Sequence, residues 1–447
     1  MLTFPDNFLW GVSTSAHQFE GENSSNQWAA WESLGRIRSG DSARAACRWW
    51  HSATRDLELC RGLGLNTMRI SVDWGRIEPF DCAWDRTAIH RYRQLLKEIR
   101  AAGMRPFVTL HHFTHPQWFE ERGGFLSPRA VEHFVAYAER TVNELGDLCS
   151  DFVTFNEPNV FTAFGYLFGN FPPGYRYRIR DCVQVTINLH RAHAAAYERI
   201  HAVHPEAAVG LATHWVDFQS ATDSPADRLL AFLYDSAFNR SSLQLLRCGT
   251  LPFPLNSISP EAPEVMQKID FIGLNVYNRL HVRSPWDEAS RRTGGLFVPE
   301  DVPQGDCGVD LPYGEACPDV VTNSVREYSA LGVPMYIMEN GVPDREDRIR
   351  PWVMTQCIRR THEAIANGFD VRGYFHWSIV DNFEWCEGWT LRFGLYSLDA
   401  RTQERFARGS AELYRQIVTQ NGLSDEQLSR FSDPPVPSAR EFMNVRR

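Results

Sequence analysis

Two glutamates stand out by where they fall: Glu157, in Asn156-Glu157-Pro158 after an apolar run, and Glu339, in Glu339-Asn340-Gly341 after another. Two carboxyl groups facing one cleft can break a glycosidic bond, one protonating the leaving oxygen while the other attacks or stabilises the oxocarbenium-like carbon. Beyond other apolar runs lie groups suited to a hydroxyl-rich ligand: Gln18, Arg69, His111, His112, Asn156, Asn275, Tyr277, Trp377, Glu384 and Trp385. Position alone does not make a glutamate catalytic, because most glutamates of a large protein are solvated or salt-bridged.

The elements that must hold these groups are legible in the hydropathy pattern. Short runs rich in Val, Ile, Leu and Phe occur at 8–13, 65–71, 105–110, 151–155, 207–213, 269–274, 333–338 and 371–377. Between them lie amphipathic stretches at 86–102, 128–145, 183–204, 227–246 and 351–367, with apolar residues at three- and four-residue steps. Near-continuous apolar strands joined by helical crossovers imply a parallel sheet covered by helices. Eight such units predict an α/β fold, a (β/α)8 TIM barrel with long βα loops, whose reacting groups sit where strands end. An open doubly wound sheet would carry a glycine-rich phosphate turn after its first strand. That place instead holds Ser13-Thr14-Ser15-Ala16-His17-Gln18. Residues 284–318, rich in Gly, Pro and Asp, read as an insertion that shapes the site. A Pro-rich tail from about Asp433 has too few apolar residues for a domain of its own, so the expectation is one domain over 1–447.

Longer motifs sharpen this reading. Thr154-Phe155-Asn156-Glu157-Pro158 resembles the T-[FL]-N-E-P element of glycoside hydrolase family 1, and Tyr336-Ile337-Met338-Glu339-Asn340-Gly341 resembles its [IV]-T-E-N-G element. The runs from Phe4 to Gly21 and from Trp377 to Gly394 resemble the family's opening and closing motifs, so the likeness spans nearly the whole chain. Four elements in the right order are far more specific than any one. The resemblance implies a retaining β-glycosidase, of β-glucosidase type and open also to β-galactosides and β-fucosides. Glu339 is then the nucleophile and Glu157 the acid/base. It further implies that Gln18, His112, Asn156, Tyr277, Trp377, Glu384, Trp385 and Phe393 surround the sugar, with Arg69 and Asn275 in support. Arg69 is expected to keep Glu339 ionised, and Tyr277 to hydrogen-bond it. Glu384 stands where relatives that cleave 6-phosphosugars lack a glutamate, which implies an unphosphorylated substrate. A transglycosidase using the same intermediate, or a catalytically silent sugar-binding barrel, remains an alternative.

Three positions depart from the family pattern: Met338 for Thr, Phe113 for Trp and Asn159 for Trp. Strand alternation predicts that Met338 points away from Glu339 into the helix layer, and Asn159 removes a stacking surface for the leaving group. Apolar residues at 43% with 23% charged are enough for a large core, and a net charge of −9 without a basic stripe argues against nucleic acid as a partner. Ten scattered cysteines without a C-x-x-C pair read as free thiols of a reducing cytoplasm. There is no signal-peptide pattern and no apolar run of membrane-spanning length. The His111–His115 cluster and the helical His190, His193, His201 and His204 lack a carboxylate or Cys at zinc spacing. No metal or other cofactor is therefore expected. Small β-glycosides or short oligosaccharides are the expected ligands, and the oligomeric state is open.

Overall fold

The computed structural model describes residues 1–284, 293–308 and 313–435. Eight parallel strands form its centre: β1 Leu9–Ser13, β2 Thr67–Ser71, β3 Arg105–His111, β4 Asp151–Asn156, β5 Ala208–Ser220, β6 Phe271–Val282, β7 Met335–Asn340 and β8 Val371–His376. Each pairs with the next, and β8 pairs back on β1, so the sheet closes into a barrel. Around it run α1 Thr54–Gly62, α2 Arg86–Ala101, α3 Ala130–Leu145, α4 Ile179–Val203, α5 Arg240–Cys248, α6 Asp319–Tyr328, α7 Arg350–Ala366 and α8 Gly409–Thr419. The predicted (β/α)8 architecture is present.

The helices form for local reasons. Asp85 caps α2 by accepting from the backbone N–H groups of Thr87 and Ala88, a cap worth about 1 kcal/mol. Its Ile89, Tyr92, Leu95, Leu96 and Ile99 lie buried on one face. The stretch expected as one helix over 227–246 is instead Pro225–Tyr234, a π-turn at Asp235–Asn239, and α5. Asn239 accounts for the break. Its amide donates to Val216 O (2.7 Å) and its Oδ1 accepts from Val216 N (3.1 Å), at the point where the β5–β6 ladder slips register.

The barrel axis is filled by Phe107, Val153, Ala212, Phe271, Tyr336, Met338 and Phe375, one or two from each of β3 to β8, with Leu9 of β1 against them. Met338 therefore corrects the expectation that it would face the helices. Opposite β6, Leu274 pairs with Ile337 but Asn275 pairs with Glu339, so β7 holds one extra residue there. β4 does the same: Val153 and Asn156 oppose Gly210 and Ala212. A β-bulge breaks two-residue alternation and re-aims the side chains beyond it. The two bulged strands are those that end in the glutamates.

Part of the predicted insertion is described: Leu296–Phe297 pairs antiparallel with β6, whereas residues 285–292 and 309–312 lie outside the described residues. The Pro-rich tail beyond 435 also lies outside them. The ten cysteines are free thiols. Among the described residues, no helix is long and apolar enough to cross a membrane.

Candidate active site

Arg69 is wholly buried on β2 and organises the floor of the barrel mouth. Its Nη1 forms an ion pair with Glu339 Oε1, its Nη2 donates to Asn156 Oδ1 (2.7 Å), and its Nε donates to Thr109 Oγ1 (2.9 Å). The other oxygen of Glu339 accepts the Tyr277 hydroxyl at 2.7 Å. Both carboxylate oxygens are thus fixed by donors from different strands. Asn275 Nδ2 bridges the two halves, donating to Asn156 Oδ1 (3.0 Å) and to Glu157 Oε1 (2.7 Å).

Glu157 follows β4 with φ +46° and ψ +64°, a left-handed backbone for a non-glycine residue. Such conformations cost on the order of 1–3 kcal/mol and persist where surrounding contacts enforce them. Here the Glu157 N–H donates to Ala212 O at 2.8 Å, and its side chain is tied to Asn275.

The remaining predicted residues converge on the same mouth. Ser15 Oγ donates to Gln18 Oε1 (2.6 Å), and Gln18 Nε2 donates to Phe383 O (2.8 Å), Asn382 Oδ1 (3.0 Å) and Glu384 Oε2 (3.2 Å). Asn156 Nδ2 donates to His112 Nε2 at 3.2 Å, which puts the imidazole hydrogen on Nδ1. That buried nitrogen has no partner among the described residues. Burial, reinforced by the Arg69 charge, holds His112 well below the usual histidine range, so the ring is neutral. His112 lies parallel to both Trp377 and Trp385, with ring centroids 6.0 Å away in each case. Trp377, Tyr277, Leu391 and Phe393 form one buried cluster.

Two polar residues expected at strand ends turn away from the mouth. Asn340 donates to Val276 O and accepts from Tyr374 OH on the helix side. His111 joins His115, which bonds Glu120. The helical His190 and His193 are buried, and desolvation lowers them to about 4 and about 3. Among the described residues, the one cluster with metal-like spacing is Glu78, Asp81 and Cys82, whose Asp81 is paired with Arg122.

Burial pushes Glu339 up to about 7, with Arg69 opposing, the Glu157 charge adding to the rise and the Tyr277 hydrogen bond opposing it. Arg69 does pair with Glu339 as expected, yet desolvation outweighs it. Burial, and then the charges of Glu339, Glu157 and Glu387, push Glu384 up to about 8 against the Gln18 hydrogen bond.

Three features were not read from the sequence. Tyr313, inside the insertion, packs on Tyr277 and Phe393 with centroids 5.9 and 5.2 Å away. It has no motif or periodicity to mark it. His214 Nδ1 lies 3.2 Å from Glu157 Oε1, beyond the predicted end of its strand at 213. Asn159 is buried, and its amide donates to His214 O at 2.8 Å, so it anchors β5 as well as lacking a stacking ring.

The family model for glycosyl hydrolase family 1 matches residues 1–423. A β-galactosidase of Sulfolobus acidocaldarius is 28% identical, over 98% of this chain and 100% of that protein. The solved β-glycosidase from Pyrococcus horikoshii superposes with a TM-score of 0.85 at 33% identity, covering 97% of this chain and 99% of that one. A β-glucosidase from Thermotoga maritima, solved with glucoimidazole, gives a TM-score of 0.87 at 27% identity, covering 95% of this chain and 100% of that one.

Proposed function

The chain belongs to glycosyl hydrolase family 1, and from that premise we propose a retaining β-glycosidase that hydrolyses unphosphorylated β-D-glycosides at their non-reducing end, with Glu339 as nucleophile and Glu157 as acid/base. The observation that carries the reading is the asymmetry of the two carboxyls. Glu339 faces a guanidinium and a phenol, one at each oxygen, which favour its anion. Glu157 meets the Asn275 amide and the His214 imidazole at one oxygen, and among the described residues no hydrogen bond is made to the other, which is left to a leaving group.

In the first step Glu339 attacks the anomeric carbon, the bond to the leaving oxygen breaks, and the Glu157 proton passes to that oxygen. The α-linked glycosyl ester that results is opened by water, which gives its proton back to Glu157 and leaves a β-configured product. Asn156, held by Arg69 and Asn275, meets the 2-hydroxyl, and His112 Nδ1–H donates to a neighbouring hydroxyl. Gln18 and Glu384 meet the far edge of the ring, with Trp377, Trp385 and Phe393 as its apolar walls. An additional phosphate would lie against Glu384, Glu339 and Glu157, and this carboxyl-rich lining supports a neutral sugar. Relatives named β-galactosidase and β-glucosidase support both epimers as substrates. The ten free thiols support a reducing cytoplasmic setting, and the single match over 1–423 supports one catalytic domain.

Hydrolysis of p-nitrophenyl β-glucoside, β-galactoside, β-fucoside and 6-phospho-β-glucoside by wild type and folded Glu339→Gln tests this. The expected result is activity on an unphosphorylated β-glycoside that Glu339→Gln abolishes. Folded wild type that acts on none of them, or only on the phosphorylated one, overturns the assignment.

A further inference from the structure

β5 does not stop at the barrel rim. It continues as a ladder with β6 out to Ser220 and Val282, and in that ladder His214 sits directly opposite Asn275. Both side chains reach the same atom: Asn275 Nδ2 lies 2.7 Å and His214 Nδ1 3.2 Å from Glu157 Oε1. Among the described residues no hydrogen bond is made to Glu157 Oε2. The ring of His214 is locked in this pose. It stacks on Tyr277 (centroids 5.5 Å, 18°), meets Phe238 edge-on (5.9 Å, 78°), and its side chain is only 13% exposed. Its backbone is clamped from both sides by Asn159, two residues after Glu157: Asn159 Nδ2 donates to His214 O at 2.8 Å, and His214 N donates to Asn159 Oδ1 at 3.4 Å.

We propose that His214 is a positioning residue for proton delivery: with Asn275 it occupies Glu157 Oε1 with two N–H donors, so the acid proton resides on Oε2 and points at the leaving oxygen. The inference rests on Glu157 being the acid. A carboxylic acid has one carbonyl oxygen that accepts and one hydroxyl that donates. Two fixed donors at Oε1 leave it the carbonyl role and Oε2 the hydroxyl role. Once the proton has gone to the leaving group, the same donors stabilise the carboxylate that remains, without reorganisation. Asn159 serves the arrangement by holding the β5 backbone where the imidazole can reach. The ring chain Glu157–His214–Tyr277–Glu339 also ties the placement of the acid to that of the nucleophile.

The test compares kcat/KM for a substrate that needs protonation, cellobiose, with one that does not, 2,4-dinitrophenyl β-glucoside. The proteins are wild type, His214→Phe, His214→Asn, His214→Gln and Glu157→Gln. General acid catalysis contributes about 10²–10⁴ in rate, and misplacing the proton should forfeit part of it, roughly 10–100-fold on cellobiose and less than about threefold on the dinitrophenyl substrate for His214→Phe. An asparagine amide can stand where Nδ1 does, so His214→Asn should recover most of the cellobiose rate and His214→Gln should not. Should His214→Phe fail to fold, the Asn and Gln pair carries the comparison. Equal losses on both substrates, or none on either, overturn the proposal while Glu157→Gln still shows selective loss on cellobiose. If Glu157→Gln itself shows no such selectivity, the acid assignment falls, and the His214 proposal falls with it.

Discussion

Arg69 pairs with Glu339 and bonds Asn156, so this buried cation opposes desolvation at the Glu339 carboxyl. At Glu339 burial outweighs Arg69 and the Tyr277 hydrogen bond and pushes the carboxyl up to about 7. A nucleophilic Glu339, as proposed, has to be ionised, so its protonated fraction is inactive. We expect kcat/KM to rise with pH through about 7, on cellobiose and on the dinitrophenyl substrate alike, because both need the Glu339 anion. A profile flat across that pH would show that Arg69 and Tyr277 outweigh burial at Glu339. Burial and the neighbouring carboxyl charges raise Glu384 to about 8, above its ordinary carboxylate value of 4.5. By linkage, its contribution to stability is fully present below about 4.5 and is lost as pH rises through about 8, so the wild type weakens over that window and a Glu384→Gln protein does not. Thermal unfolding at pH 5 and pH 9 should show the variant gaining on the order of 2 kcal/mol relative to wild type at the higher pH, beyond any offset at pH 5. An equal difference at both would show that the site tolerates the Glu384 charge.

At the scale of elements, the bulges at the ends of β4 and β7 do what the regular pleat cannot. In β7 a residue beneath the mouth and the residue after it both face the barrel axis: Met338 fills the axis and Glu339 stands on top of it. Met338 is fully buried, so Met338→Ala should destabilise by about 2–5 kcal/mol, the usual range for such a core truncation. Because the cavity would open under Glu339, kcat should fall as well, with little change in the pH profile. Chemical denaturation and steady-state kinetics read the two effects separately. A neutral outcome in both would mean that Met338 does not support Glu339. Similarly, the π-turn before α5 exists because Asn239 satisfies the backbone of Val216, where the β5 ladder slips. Irregularities in strand and helix compensate each other on the wall that carries His214.

For the molecule as a whole, the two ends of the described chain are brought together behind the barrel. Leu2–Thr3 pairs with Gly422–Leu423, Trp10 Nε1 donates to Asn421 Oδ1 (2.8 Å), and the Tyr414 hydroxyl of α8 donates to Gly11 O (2.7 Å) where β8 closes on β1. Tyr414→Phe should cost about 1–2 kcal/mol for the lost bond, and Tyr414→Ala about 3–5 kcal/mol for the emptied core. Both should leave kcat/KM nearly intact at temperatures where the protein is folded. Loss of activity in the folded Phe variant would show that seam and site are coupled. The amino-acid sequence alone determined the eight strands, most of the long helices between them, and the two glutamates with the residues expected around them. Hydropathy period is written into each local stretch, and the motifs around Glu157 and Glu339 are contiguous in the chain. It could not determine which way side chains turn after a bulge, since alternation assigned Met338 to the wrong face. Nor could it show that Tyr313 packs into the mouth, that Asn159 clamps β5, or that His214 and Asn275 meet on one oxygen of Glu157. Those contacts join residues tens to more than a hundred positions apart. Only closure of the barrel decides their register, and only burial decides how far desolvation outweighs Arg69 at Glu339.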